Sequence, residues 1–229
     1  GNYPGVTVEK KEGEARHQGQ AVRVVDLPGT YSLTAYSLEE LVARNYVIGE
    51  RPDVVVDVVD AANLERNLYL AVQFMELGAP MVIALNMMDV AEARGMKIDV
   101  AKLSQLLGVP VVPTVARSGK GMDELMAAAV EVAQARRPWR PLTISYGGDV
   151  DEGLKELVAL LEGKEVRQGL LDARWLALKC LEADHEVMET LKEDPALSQR
   201  LLPVCQRVTD HVRQTMDDEP ESVIADYRY

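Results

Sequence analysis

The chain has 229 residues, 47% hydrophobic and 27% charged, which is enough apolar content for a sizeable core and excludes wholesale disorder. Its 37 acidic side chains against 25 basic ones leave a net charge of -12; such a surface repels a phosphate backbone and argues against nucleic acid as a partner. No run reaches the roughly 18 apolar residues of a membrane-spanning helix. The start Gly1-Asn2-Tyr3-Pro4-Gly5 lacks the basic and apolar regions of an export signal. Two cysteines, Cys180 and Cys205, are too few for a disulfide framework and fit a reducing compartment. The expectation is a soluble, non-exported chain.

In chain order, the first predicted strand is Val22–Val25, closed by Asp26. Val54–Val59 follows, β-branched, interrupted by Asp57 and ending at Asp60. Pro80–Leu85 ends at Asn86, and Pro110–Thr114 is the fourth. Near-continuous apolar runs of this kind suit parallel strands covered on both faces. Between them lie helical repeats: Leu64, Leu68, Ala71, Val72 and Met75 up to Gly78, then Asp99, Leu103, Leu106 and Leu107 up to Gly108, then Met122–Ala135. A glycine just past the last periodic residue is the usual stop. The alternation predicts a doubly wound α/β sheet. The proline-punctuated run Arg136-Arg137-Pro138-Trp139-Arg140-Pro141 breaks the pattern and sets a boundary between 1–137 and 138–229. Acids and bases number 18 and 14 before that boundary, 19 and 11 after it. The second part reads as a small all-helical domain, with helices over Val150–Leu161, Leu170–Glu182, His185–Lys192 and Pro195–Met216 and a core of Trp175 and leucines.

In an open parallel sheet, ligands bind beyond the carboxyl ends of the strands, and four polar signatures fall there. Asp26-Leu27-Pro28-Gly29 follows the first strand. Its carboxylate can hold Mg²⁺ through water, and its glycine lets a backbone N–H approach a terminal phosphate. Asn86-Met87-Met88-Asp89 follows the third. An aspartate so placed can accept from the N1–H and 2-amino group of guanine, donors that adenine lacks. The asparagine can brace neighbouring loops, and Met87 can cover one face of the base. The plainer reading is a strand-end asparagine with Asp89 capping a turn. In Thr114-Val115-Ala116-Arg117-Ser118-Gly119, small residues with free N–H groups can read the guanine O6; an ordinary strand-to-helix loop is the alternative. In Gly5-Val6-Thr7-Val8-Glu9, the Thr7 hydroxyl can complete a Mg²⁺ shell and its amide can touch a γ-phosphate; an edge strand is the alternative.

Order and spacing bind these signals together. Thr7 precedes Asp26 by 19 residues, Asp26 precedes Asn86 by 60, and Asn86 precedes Ala116 by 30. That is the switch-one, switch-two, base-selection and base-support order of Ras-like GTPases. The stretches Asn2–Lys11, Asp26–Leu33 and Asp60–Leu68 resemble more narrowly the cytosolic GTPase part of the FeoB ferrous iron transporter family. The resemblance covers roughly residues 1–137. It extends more loosely through a helical region similar to that family's guanine-nucleotide dissociation inhibitor-like domain, and Ile224–Tyr229 resembles the segment preceding the family's transmembrane part.

The resemblance implies a Ras-like P-loop GTPase sheet followed by a helical domain. It implies GTP/GDP and Mg²⁺ as ligands, with Thr7 and Asp26 toward the metal and Thr7, Gly29 and Thr30 toward hydrolysis. It further implies a transmembrane iron pore in the same polypeptide, small cytosolic Feo proteins as partners, and a place on the cytoplasmic face of the bacterial inner membrane. Potassium can replace an arginine finger in that family, its asparagine ligand lying in the phosphate loop. No Gly-x-x-x-x-Gly-Lys-[Ser/Thr] occurs in these residues. That loop cradles the β- and γ-phosphates and follows a central strand; without the strand the sheet would expose two long edges, so upstream residues are expected.

Thr30 stands where many Ras-like enzymes carry the glutamine that orients the attacking water, and is too short to act identically. His17, His185, His211, Cys180 and Cys205 show no metal-ligand spacing. Asp217, Asp218, Glu219 and Glu221 read as a solvated helix end rather than an iron-receiving patch. Arg66 reads as a surface side chain rather than a finger, and Met75, Met81, Met87 and Met88 read mostly as core. The expected function is GTP hydrolysis that regulates or drives ferrous iron uptake. The alternatives are a nucleotide-free interaction module that kept the fold, and a ribosome-assembly GTPase, which the acidic second part disfavours.

Overall fold

In the computed structural model, which describes residues 11–34, 36–162 and 171–229, the first element is a hairpin. Strands β1 (Lys11–His17) and β2 (Gln20–Asp26) pair antiparallel, His17 opposite Gln20 and Lys11 opposite Asp26. The two-residue turn has positive φ at both Gln18 (49°) and Gly19 (84°), the mirror-image turn whose twist matches the flanking strands. Sequence reading missed β1, whose KEGEARH run has no apolar alternation. It also expected β2 to be covered on both faces in a parallel sheet, whereas β2 forms a separate two-stranded sheet and Val24 is 47% exposed. The segment Gly5–Glu9 lies outside the described residues.

The parallel sheet has the order β3 (Val55–Asp60), β4 (Met81–Asn86), β5 (Val111–Pro113). β4 is central and buried from Met81 to Leu85, as an apolar run covered on both faces should be. Helix α2 (Leu64–Leu77) packs on β3 and β4, and ends at Gly78 with φ of 83°. Val82, Ala84 and Val112 share a core with Leu125 of a later helix, α5 (Met122–Gln134). The register pairs Val56 with Val82 and Val58 with Ala84, so those valines share α5's face. They are nevertheless 39% and 63% exposed, while Val55, Asp57 and Val59 on the other face are buried. Among the described residues α5 covers β4 and β5 and leaves this face of β3 open.

Helix α1 (Leu38–Glu50) was not expected. It starts in a capping box: Ser37 Oγ accepts from the Glu40 N–H, and Glu40 Oε2 accepts from the Ser37 N–H, an arrangement that satisfies two otherwise orphaned donors. α3 (Met88–Ala93) was also unread, and α4 (Val100–Leu107) runs from an Asp99 cap to Gly108.

The described residues fall into two compact units, one of residues up to Leu33 with Ser37–Arg140, the other of Thr34–Tyr36 with Pro141–Tyr229. The second unit holds α6 (Gly148–Leu161), α7 (Ala173–Leu181), α8 (His185–Lys192), α9 (Pro195–Met216) and α10 (Pro220–Arg228). α6 presents Val150, Leu154, Leu157 and Leu161 at helical spacing, all at most 2% exposed, each such leucine contributing about 2 kcal/mol by burial. Trp175 and Leu201 join that core, as expected. Gly153 admits α9 closely: a Cβ there would lie 2.3 Å from Val208 Cγ2. Among the described residues no helix is long and apolar enough to cross a membrane.

Candidate functional site

The rigid end of β4 positions the first group. Asn86 Oδ1 accepts from the Ala116 N–H at 3.0 Å and from Thr114 Oγ1 at 3.4 Å, and the Thr114 N–H donates to Leu85 O at 2.8 Å. These bonds tie the end of β4 to the loop after β5. Met87 then turns the chain with φ of 61° and is 40% exposed, an uncommon conformation for a residue with a side chain. It is not core, unlike Met75 and Met81, which are buried. The turn places Asp89 in the first turn of α3 after Met88, where its Oδ2 pairs with Arg117 Nη2. That arginine side chain is 81% exposed, so the pair adds little stability.

The loop opposite is internally braced. Val115 and Lys120 form an isolated bridge. The Ser118 N–H and Oγ both donate to Val115 O. Small residues with free N–H groups were expected here; instead the Ala116 and Ser118 amides are engaged by Asn86 and Val115. Gly121 closes the loop at φ of 81°, and a Cβ on it would lie 2.2 Å from Pro113 O. The structure thus brings Asn86, Met87, Met88 and Asp89 together with Val115, Ala116, Arg117 and Ser118. An acceptor carboxylate beside an exposed apolar side chain complements a flat heterocycle with adjacent donors.

Asp26 ends β2 with its side chain exposed, and Leu27 and Pro28 are half-buried. Gly29 is exposed without positive φ, and a Cβ there would meet nothing within 4 Å. Nothing in the packing of the described residues requires glycine at this position. Thr30 Oγ1 donates to Ser32 O at 2.7 Å and accepts from the Ser32 N–H at 3.3 Å, so its hydroxyl shapes the loop. Arg66 is an exposed surface side chain, as expected, and its guanidinium lies 4.2 Å from the centroid of the exposed Tyr31 ring. Asp60 caps its own turn: Oδ1 accepts from the Ala62 N–H and Oδ2 from Asn63 Nδ2, while Asn67 Nδ2 returns to Asn63 O. The Asp60–Leu68 stretch is thereby a built strand-to-helix corner.

In the second unit the acidic run joins two helices. Asp217 is the left-handed cap of α9, Asp218 accepts from the Glu219 N–H, Glu219 pairs with Arg213, and Glu221 accepts from the Tyr36 hydroxyl. Glu221, with burial adding to it, raises the Tyr36 pKa to about 12. His211 lies 3.1 Å from Asp149 and His185 3.9 Å from Glu189. Among the described residues no group of three histidines, cysteines or carboxylates is placed to hold a metal ion.

A parallel sheet with loops gathered at its carboxyl ends, followed by a helical unit, is the architecture of a G domain with an appended helical domain. The family model described as Ferrous iron transport protein B matches residues 1–129, and that of the FeoB cytosolic helical domain matches residues 146–229. The chain belongs to the FeoB family. It is 43% identical to the Fe(2+) transport protein A/Fe(2+) transporter FeoB fusion protein of Porphyromonas gingivalis and 39% identical to the Fe(2+) transporter FeoB of Salmonella typhimurium. Each match covers 100% of this chain and 28% of the relative, so the chain spans about a quarter of their length. Among solved structures, an S. thermophilus NFeoB variant bound to mGDP superposes with a TM-score of 0.87 at 37% identity, covering 100% of this chain and 85% of that one. The cytosolic domain of T. maritima FeoB in its GMPPNP form gives 0.77 at 33% identity, covering 93% and 87%.

Proposed function

We propose that this chain binds GTP and GDP at the carboxyl ends of its strands and hydrolyses GTP, and that this cycle regulates ferrous iron passage through a membrane domain of the same polypeptide. The working place is the cytoplasmic face of a bacterial inner membrane, with small cytosolic Feo proteins as partners. The observation that carries the reading is the Asn86 brace. One carboxamide joins β4 to the Ala116 loop and leaves the Asp89 carboxylate beside it, paired with an exposed arginine that a ligand can displace. The mGDP and GMPPNP forms of relatives support a guanine nucleotide as occupant.

In this reading Asp89 accepts from the N1–H and 2-amino group of guanine, Met87 covers one base face, and Val115–Ser118 line the O6 side. The Gly29 amide contacts the γ-phosphate, and an open Cβ position at Gly29 is what such an approach needs. Water attacks the γ-phosphorus in line with the leaving β-phosphate oxygen. The P–O bond breaks to give GDP and phosphate, and the water protons pass to the phosphate oxygens. The backbone at Gly29 and Thr30 orients that water, since the Thr30 hydroxyl is engaged with Ser32. The oxygen donors of Asp26 and Thr7 suit Mg²⁺, which when bound neutralises charge on the β- and γ-phosphate oxygens. The Gly-x-x-x-x-Gly-Lys-[Ser/Thr] loop that cradles phosphates is not within these 229 residues.

Calorimetric titration of the intact protein with GTP, GDP and ATP tests the reading, with guanine nucleotides binding at least about a hundredfold tighter than ATP. Asp89→Asn shifts preference from GTP toward xanthosine triphosphate; unchanged selectivity refutes the role of Asp89. Thr7→Ala weakens GTP binding and spares GDP; equal loss of both refutes the role of Thr7. Binding of no nucleotide at all leaves the interaction-module reading.

A further inference from the structure

The loop leaving Gly29 is held from one helix face. Arg66 and Gln73 lie seven residues apart on α2 and therefore point to the same side, two turns apart. Arg66 meets the Tyr31 ring. Gln73, 2% exposed, accepts through Oε1 from the backbone N–H of Leu33, 40 residues upstream. From α1, Arg44, 1% exposed, donates through Nη1 to the carbonyl of the same Leu33 at 3.4 Å. Both backbone polar groups of one loop residue are thus met by buried side chains from two helices, and the Leu33 side chain is itself 1% exposed. Gln73 Nε2 finds no hydrogen-bond partner among the described residues. A buried carboxamide with an orphaned donor is costly, so what this glutamine contributes is its acceptor.

We propose that Gln73 and Arg44 are positioning residues for the Gly29–Thr30 segment: by gripping Leu33 they set the downstream end of the loop, so that nucleotide-driven movement is confined to Leu27–Ser32. The upstream end is Asp26, held in the hairpin opposite Lys11. This rests on the nucleotide reading of the site. A γ-phosphate drawing on Gly29 then works against a fixed point rather than reeling in slack chain. The grip makes no hydrogen bond to residues 86–89 or 114–118, which the proposal gives to the base common to GTP and GDP, so its loss separates GTP from GDP.

Two measurements on the intact protein test this. Gln73→Leu removes the acceptor, whereas Gln73→Glu keeps one and loses a donor that has no partner among the described residues. Gln73→Leu is expected to lower the ratio of GMPPNP to GDP affinity, and kcat for GTP hydrolysis, by about tenfold, the worth of one buried hydrogen bond. GDP affinity stays within about twofold, and Gln73→Glu stays near wild type. An unchanged ratio and kcat, an equal loss of GDP affinity, or a glutamate variant as impaired as the leucine variant overturns the proposal. Amide hydrogen exchange on the unaltered protein needs no variant to fold. The Leu33 amide should stay protected with and without nucleotide while amides of residues 29–32 change; a Leu33 amide that follows its neighbours overturns the grip. If the unaltered protein binds no guanine nucleotide, the function reading fails, and the grip is then judged on Leu33 protection alone.

Discussion

Asp57 lies on the buried face of β3, 6% exposed, and its Oδ2 finds no hydrogen-bond partner among the described residues. Burial raises its pKa from 3.8 to about 7. The folded chain therefore keeps a proton that the unfolded chain releases near pH 4. The stabilising contribution is full below that pH, declines as pH rises toward about 7, and is lost above it. Asp57→Asn, neutral at every pH, removes this slope and stabilises the protein at pH 8 by on the order of 1–3 kcal/mol. Thermal melts of both proteins from pH 4 to 8 check it; identical slopes would sink the desolvation account. At the same scale, Asp89 and Asn86 were legible as a strand-end pair because their spacing is local. Arg117 as the partner of Asp89 was not, since a salt bridge 28 residues apart leaves no pattern in the chain.

Elements form here for local reasons that sequence reading captured unevenly. Helices α2 and α4 end at Gly78 and Gly108, and α4 starts at an Asp99 cap; all three signals were readable. The Ser37–Glu40 box ahead of α1 was equally present and went unread, along with Arg44, which lies within that helix. Ser37→Ala should lower stability by about 1 kcal/mol, measured by urea unfolding; no change would mean that packing, not the cap, starts α1. Gly121 is a sterner case. Its φ of 81° and a Cβ position 2.2 Å from Pro113 O mean that Gly121→Ala strains the backbone and pushes the loop of residues 114–119 off β5. A loss above about 2 kcal/mol is expected, with weaker guanine-nucleotide binding. A variant with wild-type melting and affinity would refute that account.

Across the whole chain, the second unit is closed by a charge cluster that no periodicity announces. Glu182 accepts from Arg228 of the last helix and lies 2.8 Å from Lys179 Nζ, all three side chains at most 5% exposed. Burial pushes the Glu182 pKa up, and the two cations outweigh this and hold it below the usual value. The stabilising contribution is therefore present above the ordinary carboxylate range and is lost as pH falls through the folded value. Breaking a buried pair leaves an uncompensated charge, so Arg228→Met should destabilise this unit by about 3 kcal/mol. Calorimetry is expected to show the transition of the helical unit falling by several degrees. An unshifted transition would mean that Lys179 alone satisfies Glu182.

The order and spacing of Asp26, Asn86, Asp89 and Ala116, the helical repeats and their glycine stops, and the helical character of the second part were determined by the sequence itself. Each depends on residues close in the chain, and such patterns survive without knowledge of what packs where. Tertiary structure decided that β2 pairs antiparallel with a charged, patternless β1. It also decided that Leu33 is gripped by Gln73 and that Glu182 meets Arg228. Those outcomes join residues far apart in the chain through polar or backbone groups, and only the closed fold brings such groups within bonding distance.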